Sequence, residues 1–85
     1  MNNKDVLRIL RSPAAELVEF VVGLANLTHK EKMAIDLCGR QGFTQEEAAE
    51  QAGFSVDAVQ KWYRSGMTKL KDAWQDRWWI KKIIM

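Results

Sequence analysis

Two helical patterns flank a tight turn at Gly53, within residues 44–70. Thr44 and Glu47 have the spacing of a capping box, in which two side chains satisfy free backbone N–H groups at a helix start. A first helix is therefore predicted over residues 45–52. Glycine adopts positive φ without a steric penalty, so Gly53 is suited to a left-handed residue that ends this helix. The pattern predicts two helices joined by a short turn.

The second helix of this unit follows Ser55, which is a good N-cap residue. Asp57 lies in its first turn, where a negative charge opposes the positive end of the helix dipole. A helix-turn-helix also needs small residues where its helices cross and apolar residues that fill the angle between them. Suitable residues occupy these positions: Ala48, Ala49, Ala52, Phe54, Val59 and Trp62. The combination predicts a helix-turn-helix.

The outer face of the second helix follows from helical spacing, because Val59 and Trp62 are expected to point inward. Such a helix typically enters the major groove of double-stranded DNA. There, Gln60 is suited to pair with an adenine edge, and Lys61 and Arg64 are suited to guanine or phosphate. The residues left outside are Val56, Asp57, Gln60, Lys61 and Arg64.

Three further positions, Ser55, Thr44 and Gln45, extend this candidate DNA-binding set, and Asp57 within it has two possible roles. Asp57 either accepts a hydrogen bond from cytosine or only caps its helix. Ser55 lies at the start of the same helix. Thr44 and Gln45 begin the preceding helix, where backbone N–H groups and side chains are suited to clamp a phosphate. The alternative is that all of these residues form an ordinary solvated surface.

The net charge of +2 over 85 residues is unevenly distributed. Residues 1–59 carry six Lys or Arg and nine Asp or Glu, whereas residues 60–85 carry seven and two, so the net charges are −3 and +5. A basic C-terminal third suits nucleic acid, although a solvated helix face gives the same pattern. The length fits a single domain, residues 1–85. The one cysteine, Cys38, fits a reducing compartment, so a cytoplasmic location is expected.

The remainder of the chain is also helical in pattern, with no strong strand signal. We therefore expect an all-α fold of four to five helices that ends in a long C-terminal helix. A short helix is predicted over residues 5–11. Ser12 and Pro13 are suited to the N-cap and first position of a helix over residues 13–26. Its expected apolar stripe is Leu17, Phe20, Val21 and Leu24.

A second capping box, Thr28 and Glu31, opens the helix that precedes the central unit. Further along, the helix after Ser55 is expected to continue to about Lys82. Gly66 lies in its interior, where glycine is unfavourable, and indicates either the close approach of another helix or a bend.

Residues 27–71 resemble region 4 of bacterial sigma factors, without a gap. Residues 28–71 would be its helix-turn-helix core, and residues 13–26 the first helix of the region. The matching residues are Leu27-Thr28, Glu31-Lys32, Ala34-Ile35, Leu37, Gly42, Thr44, Glu47, Ala49, Gly53-Phe54-Ser55, Ala58-Val59 and Lys69-Leu70-Lys71.

The resemblance implies that a recognition helix over about residues 56–69 reads a promoter element, and that the domain docks on the flap of RNA polymerase. It places the reading positions at Ser55, Asp57, Ala58, Gln60, Lys61 and Arg64. The chain lacks the family's usual basic residues at Gln60, Ser65, Gly66 and Met67, which implies a weaker or differently placed electrostatic grip. A region for melting DNA is also lacking, so the chain is similar to small stand-alone regulators of phages and mobile elements.

Residues 72–85 form an apolar C-terminal extension in which Trp74 and Trp78 are expected to share a helix face. These side chains either complete the core against the N-terminal helices or form an exposed surface, for a homodimer or for docking on a partner protein. Apolar runs in the chain are too short to cross a bilayer, and no membrane partner is expected.

No phosphate-binding loop, nucleophile motif or metal-ligand spacing is present in the sequence, so we expect no cofactor, no metal and no enzymatic activity. The sequence favours a sequence-specific DNA-binding transcription regulator. Two alternatives are a protein-interaction module that docks on RNA polymerase or another regulator, and a DNA-packaging recognition subunit similar to small terminase subunits.

Overall fold

A computed structural model describes residues 1–84, and all regular structure in this range is helical. The all-α prediction is confirmed. Residues 1–84 form six α-helices rather than four or five, and the third continues into a π-helical segment, Ile35–Arg40. Within residues 1–84 no helix has the length and apolar character needed to span a bilayer. The helices are α1 (Asn3–Leu10), α2 (Ala15–Gly23), α3 (His29–Ala34), α4 (Gln45–Ala52), α5 (Val56–Trp74) and α6 (Trp79–Ile84).

The helix starts and the central turn follow the sequence closely. The Thr28 hydroxyl accepts the Glu31 N–H at 3.2 Å, and the Glu31 carboxylate accepts the Thr28 N–H at 2.8 Å. Thr44 and Glu47 form the same reciprocal pair, at 3.1 and 2.9 Å. Gly53 has a φ of 78° and ends α4 in the left-handed conformation. Both predicted capping boxes and the glycine turn are confirmed.

The larger hydrophobic core joins the N-terminal helices to the carboxyl half of α5 and to α6. Trp74 is its largest fully buried side chain, and its indole N–H donates to the Val21 carbonyl at 2.7 Å. This bond satisfies the one polar atom of a side chain that otherwise fills apolar space. The buried members are Val6, Ile9, Leu10, Val18, Val21, Val22, Ile35, Met67, Leu70, Trp74 and Ile80.

A second, smaller core lies where α3, the π-helical segment, α4 and α5 meet. Its buried members are Ala34, Cys38, Ala48, Ala49 and Val59. Alanines let helix backbones approach closely, so this cluster fixes the crossing of α4 and α5 rather than filling a large volume. The inward positions predicted for Ala48, Ala49 and Val59 are confirmed.

Helix α2 differs from the prediction in its start and in its buried face. It begins at Ala15, because Ser12 and Pro13 lie in a turn where the Ser12 hydroxyl accepts the Ala14 N–H at 3.2 Å. The expected stripe is wrong for Leu17 and Phe20, which are 40% and 60% exposed. Apolar residues cover most of this helix, so spacing alone did not determine which face packs. The valines face the core instead: Val18, Val21 and Val22.

The long C-terminal helix is also shorter than predicted, because α5 ends at Trp74 and a turn separates it from α6. The turn allows Trp74 and Ile80, both buried, to enter the same core. Trp78 lies in the turn and is 69% exposed, so the prediction that it shares a face with Trp74 is wrong. Trp74 belongs to the interior of the monomer, so of its two expected roles the structure shows the one in which it completes the core.

Candidate nucleic-acid interface

The turn between α4 and α5 is held by backbone and aromatic contacts. The N–H groups of Gly53 and Phe54 both donate to the Ala49 carbonyl, at 2.9 and 3.0 Å. The Phe54 ring meets the Trp62 ring edge-on, with centroids 5.0 Å apart, and the Lys30 ammonium lies 5.0 Å from the Trp62 centroid. Phe54 is 40% exposed, so it covers the rim of the angle between the helices instead of filling it as predicted.

The amino half of α5 presents the predicted outer face to solvent. Gln60, Lys61 and Arg64 are exposed, as are Ser55 and Asp57, which precede them. Residues three and four apart lie on one side of a helix, so these side chains form a single stripe. Ser55 serves as the N-cap, and its hydroxyl accepts an N–H at 3.2 Å. The other predicted position on this helix, Ala58, is half-buried beside the stripe.

Two cations on this stripe are free of internal partners. Neither Lys61 nor Arg64 forms an ion pair with a carboxylate of residues 1–84, in contrast to the basic residues that pair elsewhere in the fold. Asp57 is the only acidic residue on the same stretch of the stripe. The outer face of α5 therefore offers two exposed, unneutralised positive charges and one amide.

A buried carboxylate braces the adjoining edge of α5 against α3. Glu31 is 5% exposed and accepts hydrogen bonds from the Lys69 ammonium at 2.8 Å, from the Ser65 hydroxyl and from its capping partner Thr28. Burial raises the pKa of Glu31, but the hydrogen bonds from Lys69, Ser65 and Thr28 outweigh it and hold the pKa at about 2. The carboxylate stays ionised, and the charge of Lys69 is neutralised internally.

Sequence reasoning missed this brace, since it assigned Glu31 only to a capping box. The available signal was the spacing of Ser65 and Lys69, two polar residues four apart at the edge of an otherwise buried helix face. The intervening Gly66 gives the physical reason for the close contact. A Cβ at Gly66 would lie 2.8 Å from Cγ1 of Ile35, so the Ile35 side chain packs directly on the α5 backbone and would have to shift to admit a side chain there. Gly66 was predicted to mark either the close approach of another helix or a bend, and the structure shows the close approach.

The start of α4 contributes unequally to the candidate site. The Thr44 hydroxyl oxygen accepts the Glu47 N–H and the Thr44 N–H donates to Glu47, so the hydroxyl proton is the one donor that Thr44 still offers to a phosphate. Gln45 lines a shallow groove together with Gln60 and Arg64, which brings it beside the exposed stripe. The structure thus groups Gln45 with the predicted reading residues.

No set of three His, Cys, Asp or Glu side chains in the described part of the chain is arranged to hold a metal ion. No protein-family model, curated protein or solved structure matches the chain. The resemblance to sigma factor region 4 therefore stays a prediction.

Proposed function

We propose that this chain is a sequence-specific regulator of transcription that binds double-stranded DNA. In this proposal α4 and α5 form a helix-turn-helix, and the amino half of α5 enters the major groove. The observation that carries the proposal is the exposed stripe of α5, on which Lys61 and Arg64 have no carboxylate partner within residues 1–84. On the opposite side of this half, Val59 is buried and packs α5 against the rest of the fold, so the stripe faces outward.

The chemistry of the stripe suits base-edge recognition. The major groove is about 12 Å wide and admits an α-helix. Recognition helices place their amino-terminal residues on base edges. The Gln60 amide has the donor and acceptor that adenine requires, and Arg64 has the paired donors that suit guanine. Lys61 adds a positive charge that attracts phosphate at any sequence.

The test is duplex binding by the double variant Lys61→Ala, Arg64→Ala over a range of salt concentrations. Each lost phosphate contact should flatten the slope of log affinity against log salt by about 0.9, and affinity at moderate salt should fall by about tenfold or more. The matched control is Arg8→Ala, Lys82→Ala, which also removes two exposed charges. If both double variants lose affinity equally, α5 is not the reading helix.

A second candidate, a protein-interaction module, is favoured by exposed apolar side chains outside the stripe of α5. Phe20 and Trp78 are 60% and 69% exposed. The resemblance implies RNA polymerase as the partner. Capture of purified polymerase by the Lys61→Ala, Arg64→Ala variant, and loss of capture when Phe20→Ser is added, would support this function. If the Lys61→Ala, Arg64→Ala variant captures no polymerase, with or without Phe20→Ser, the protein-interaction function is excluded.

A further inference from the structure

A groove runs beside the exposed stripe of α5, on the edge opposite the Glu31 brace. The first turn of α1 and the start of α4 form its far wall, and α5 forms its floor. Helix α1 precedes the part of the chain that resembles region 4, and the function proposed above gives it no role. The polar residues that line the groove are Asn3, Gln45, Gln60, Arg64, Thr68 and Lys71.

The groove is positive in charge. Arg64 and Lys71 contribute one cation each, and no carboxylate lines it. Neither cation forms an ion pair with another residue in the range 1–84. The nearest acidic residue in α1, Asp5, is paired with Lys81 of α6 at 3.1 Å and is thereby neutralised. Because Arg64 is assigned to a base edge above, Lys71 is left as a free cation beside the Thr68 hydroxyl and the Asn3 amide, and these groups are the chemistry that binds a phosphodiester.

The length of α5 determines what the groove would meet on a duplex. Thr68 and Lys71 continue the stripe of Lys61 and Arg64, because each of these four residues follows the previous one by three or four positions. A helix rises 1.5 Å per residue, so Lys71 lies about 15 Å along the axis from Lys61. Recognition helices place their amino-terminal residues on base edges. In the proposed docking Lys61 lies at the base edges, and Lys71 lies farther from them, towards the backbone.

We infer that the groove between the start of α1 and the carboxyl half of α5 binds the sugar-phosphate backbone that borders the occupied major groove. The inference rests on the proposed function, because it needs the amino half of α5 on the same duplex. Lys71 supplies the charge, Thr68 and Asn3 supply hydrogen bonds, and α1 becomes part of the DNA interface. Contacts of this kind position the protein without reading sequence.

The test is duplex binding by Lys71→Gln and, separately, by Asn3→Asp. Lys71→Gln should lower affinity about three- to tenfold for specific and unrelated duplexes alike, and should flatten the salt slope by about 0.9. Asn3→Asp places a negative charge in the groove, yet in the first turn of α1 it should leave the thermal midpoint unchanged or raised. A severalfold loss of affinity without a loss of stability therefore reports on the groove itself.

Lys82→Gln is the matched control for Lys71→Gln, because it removes one exposed charge that lies away from the groove. One result would overturn the inference and leave the proposed function standing. In it, Lys71→Gln and Asn3→Asp both keep the wild-type affinity and salt slope, whereas Lys61→Ala, Arg64→Ala impairs binding. Failure of the unaltered chain to bind any duplex would overturn both.

Discussion

Along α5, the amino half (residues 56–64) buries only Val59, whereas the carboxyl half (residues 65–74) buries Gly66, Met67, Leu70 and Trp74. The amino half leaves two cations free on its outer face, and the carboxyl half has its Lys69 neutralised by Glu31. The amino half of this 19-residue helix is thus mainly open to a partner, whereas the carboxyl half mainly holds the fold and, of its polar side chains, offers only Thr68 and Lys71 to the groove. Substitutions in the two halves should have separable effects on stability and on binding.

The two hydrophobic clusters explain this division. The larger one packs bulky aliphatic side chains and Trp74 around the carboxyl half, so most of the free energy from apolar burial arises there. The smaller one is built mainly of alanines and sets the position of the amino half relative to α4. Stability and geometry are therefore determined by different residues.

The largest effect is expected for Trp74→Ala in the carboxyl half. Loss of this buried side chain leaves a cavity and removes one of the hydrogen bonds that the Val21 carbonyl accepts, and should lower the free energy of unfolding by about 3–5 kcal/mol. Denaturant-induced unfolding measures it. The companion variant Trp74→Phe retains most of the packing and should lose less. A cost below about 1 kcal/mol for Trp74→Ala would show that the carboxyl half does not hold the fold.

The next effect concerns the Glu31 brace and depends on pH. The pKa of Glu31 is about 2 in the fold and near 4.5 ordinarily, so the ionised group stabilises the fold above pH 4.5. This contribution should be lost progressively as the pH falls from about 4.5 to 2. Glu31→Gln should lower the free energy of unfolding at neutral pH by about 2 kcal/mol, because Lys69 and Ser65 lose a charged acceptor.

Unfolding of both proteins between pH 7 and pH 2 isolates Glu31 from the other carboxyls that titrate in this range. The difference in stability between wild type and Glu31→Gln should shrink as the pH falls. A difference that stays constant with pH would contradict the assignment of a lowered pKa to this residue.

A smaller loss is expected for Gly66→Ala. Alanine is the better helix former by about 1 kcal/mol, but its Cβ would lie 2.8 Å from Ile35, so the net change should be destabilising by about 1–2 kcal/mol. Gly23→Ala is the matched control, because nothing lies within 4 Å of its added Cβ. That control should be neutral or stabilising. A stabilising Gly66→Ala would contradict the close approach of α5 to the π-helical segment.

The smallest effect on stability should come from the amino half. Lys61→Ala, Arg64→Ala removes two exposed side chains that have no internal ion pair among residues 1–84, so the free energy of unfolding should change by no more than about 0.5 kcal/mol. Thermal unfolding of this variant is the measurement. A large loss would mean that these residues support the fold, and reduced DNA binding would then have a structural cause.

Local signals in the sequence predicted the parts of the fold that are determined locally. The caps at Thr28, Thr44 and Ser55 and the left-handed Gly53 depend on neighbours within a few residues, and all four were predicted. The exposed stripe of α5 followed from helical spacing once Val59 was assigned to the interior.

Tertiary packing decided the features that the sequence did not reveal. Valines on one side of α2 and Leu17 and Phe20 on another have similar hydrophobicity, so only contact with the other helices selects the buried face. The break after Trp74 lets Ile80 reach the same core, which no local signal indicates. The Glu31–Lys69 pair joins residues 38 positions apart, beyond the reach of any periodicity argument.

Selection of bound duplexes from a random pool, carried out with the wild-type chain and with Gln60→Ala, tests most directly whether the open half of α5 reads DNA. We predict that the wild type enriches one short motif and that Gln60→Ala loses the preference for adenine at a single position of it, at a cost of about 1–3 kcal/mol. No enriched motif for the wild type, or the same motif with unchanged preferences for the variant, would contradict DNA reading by this helix.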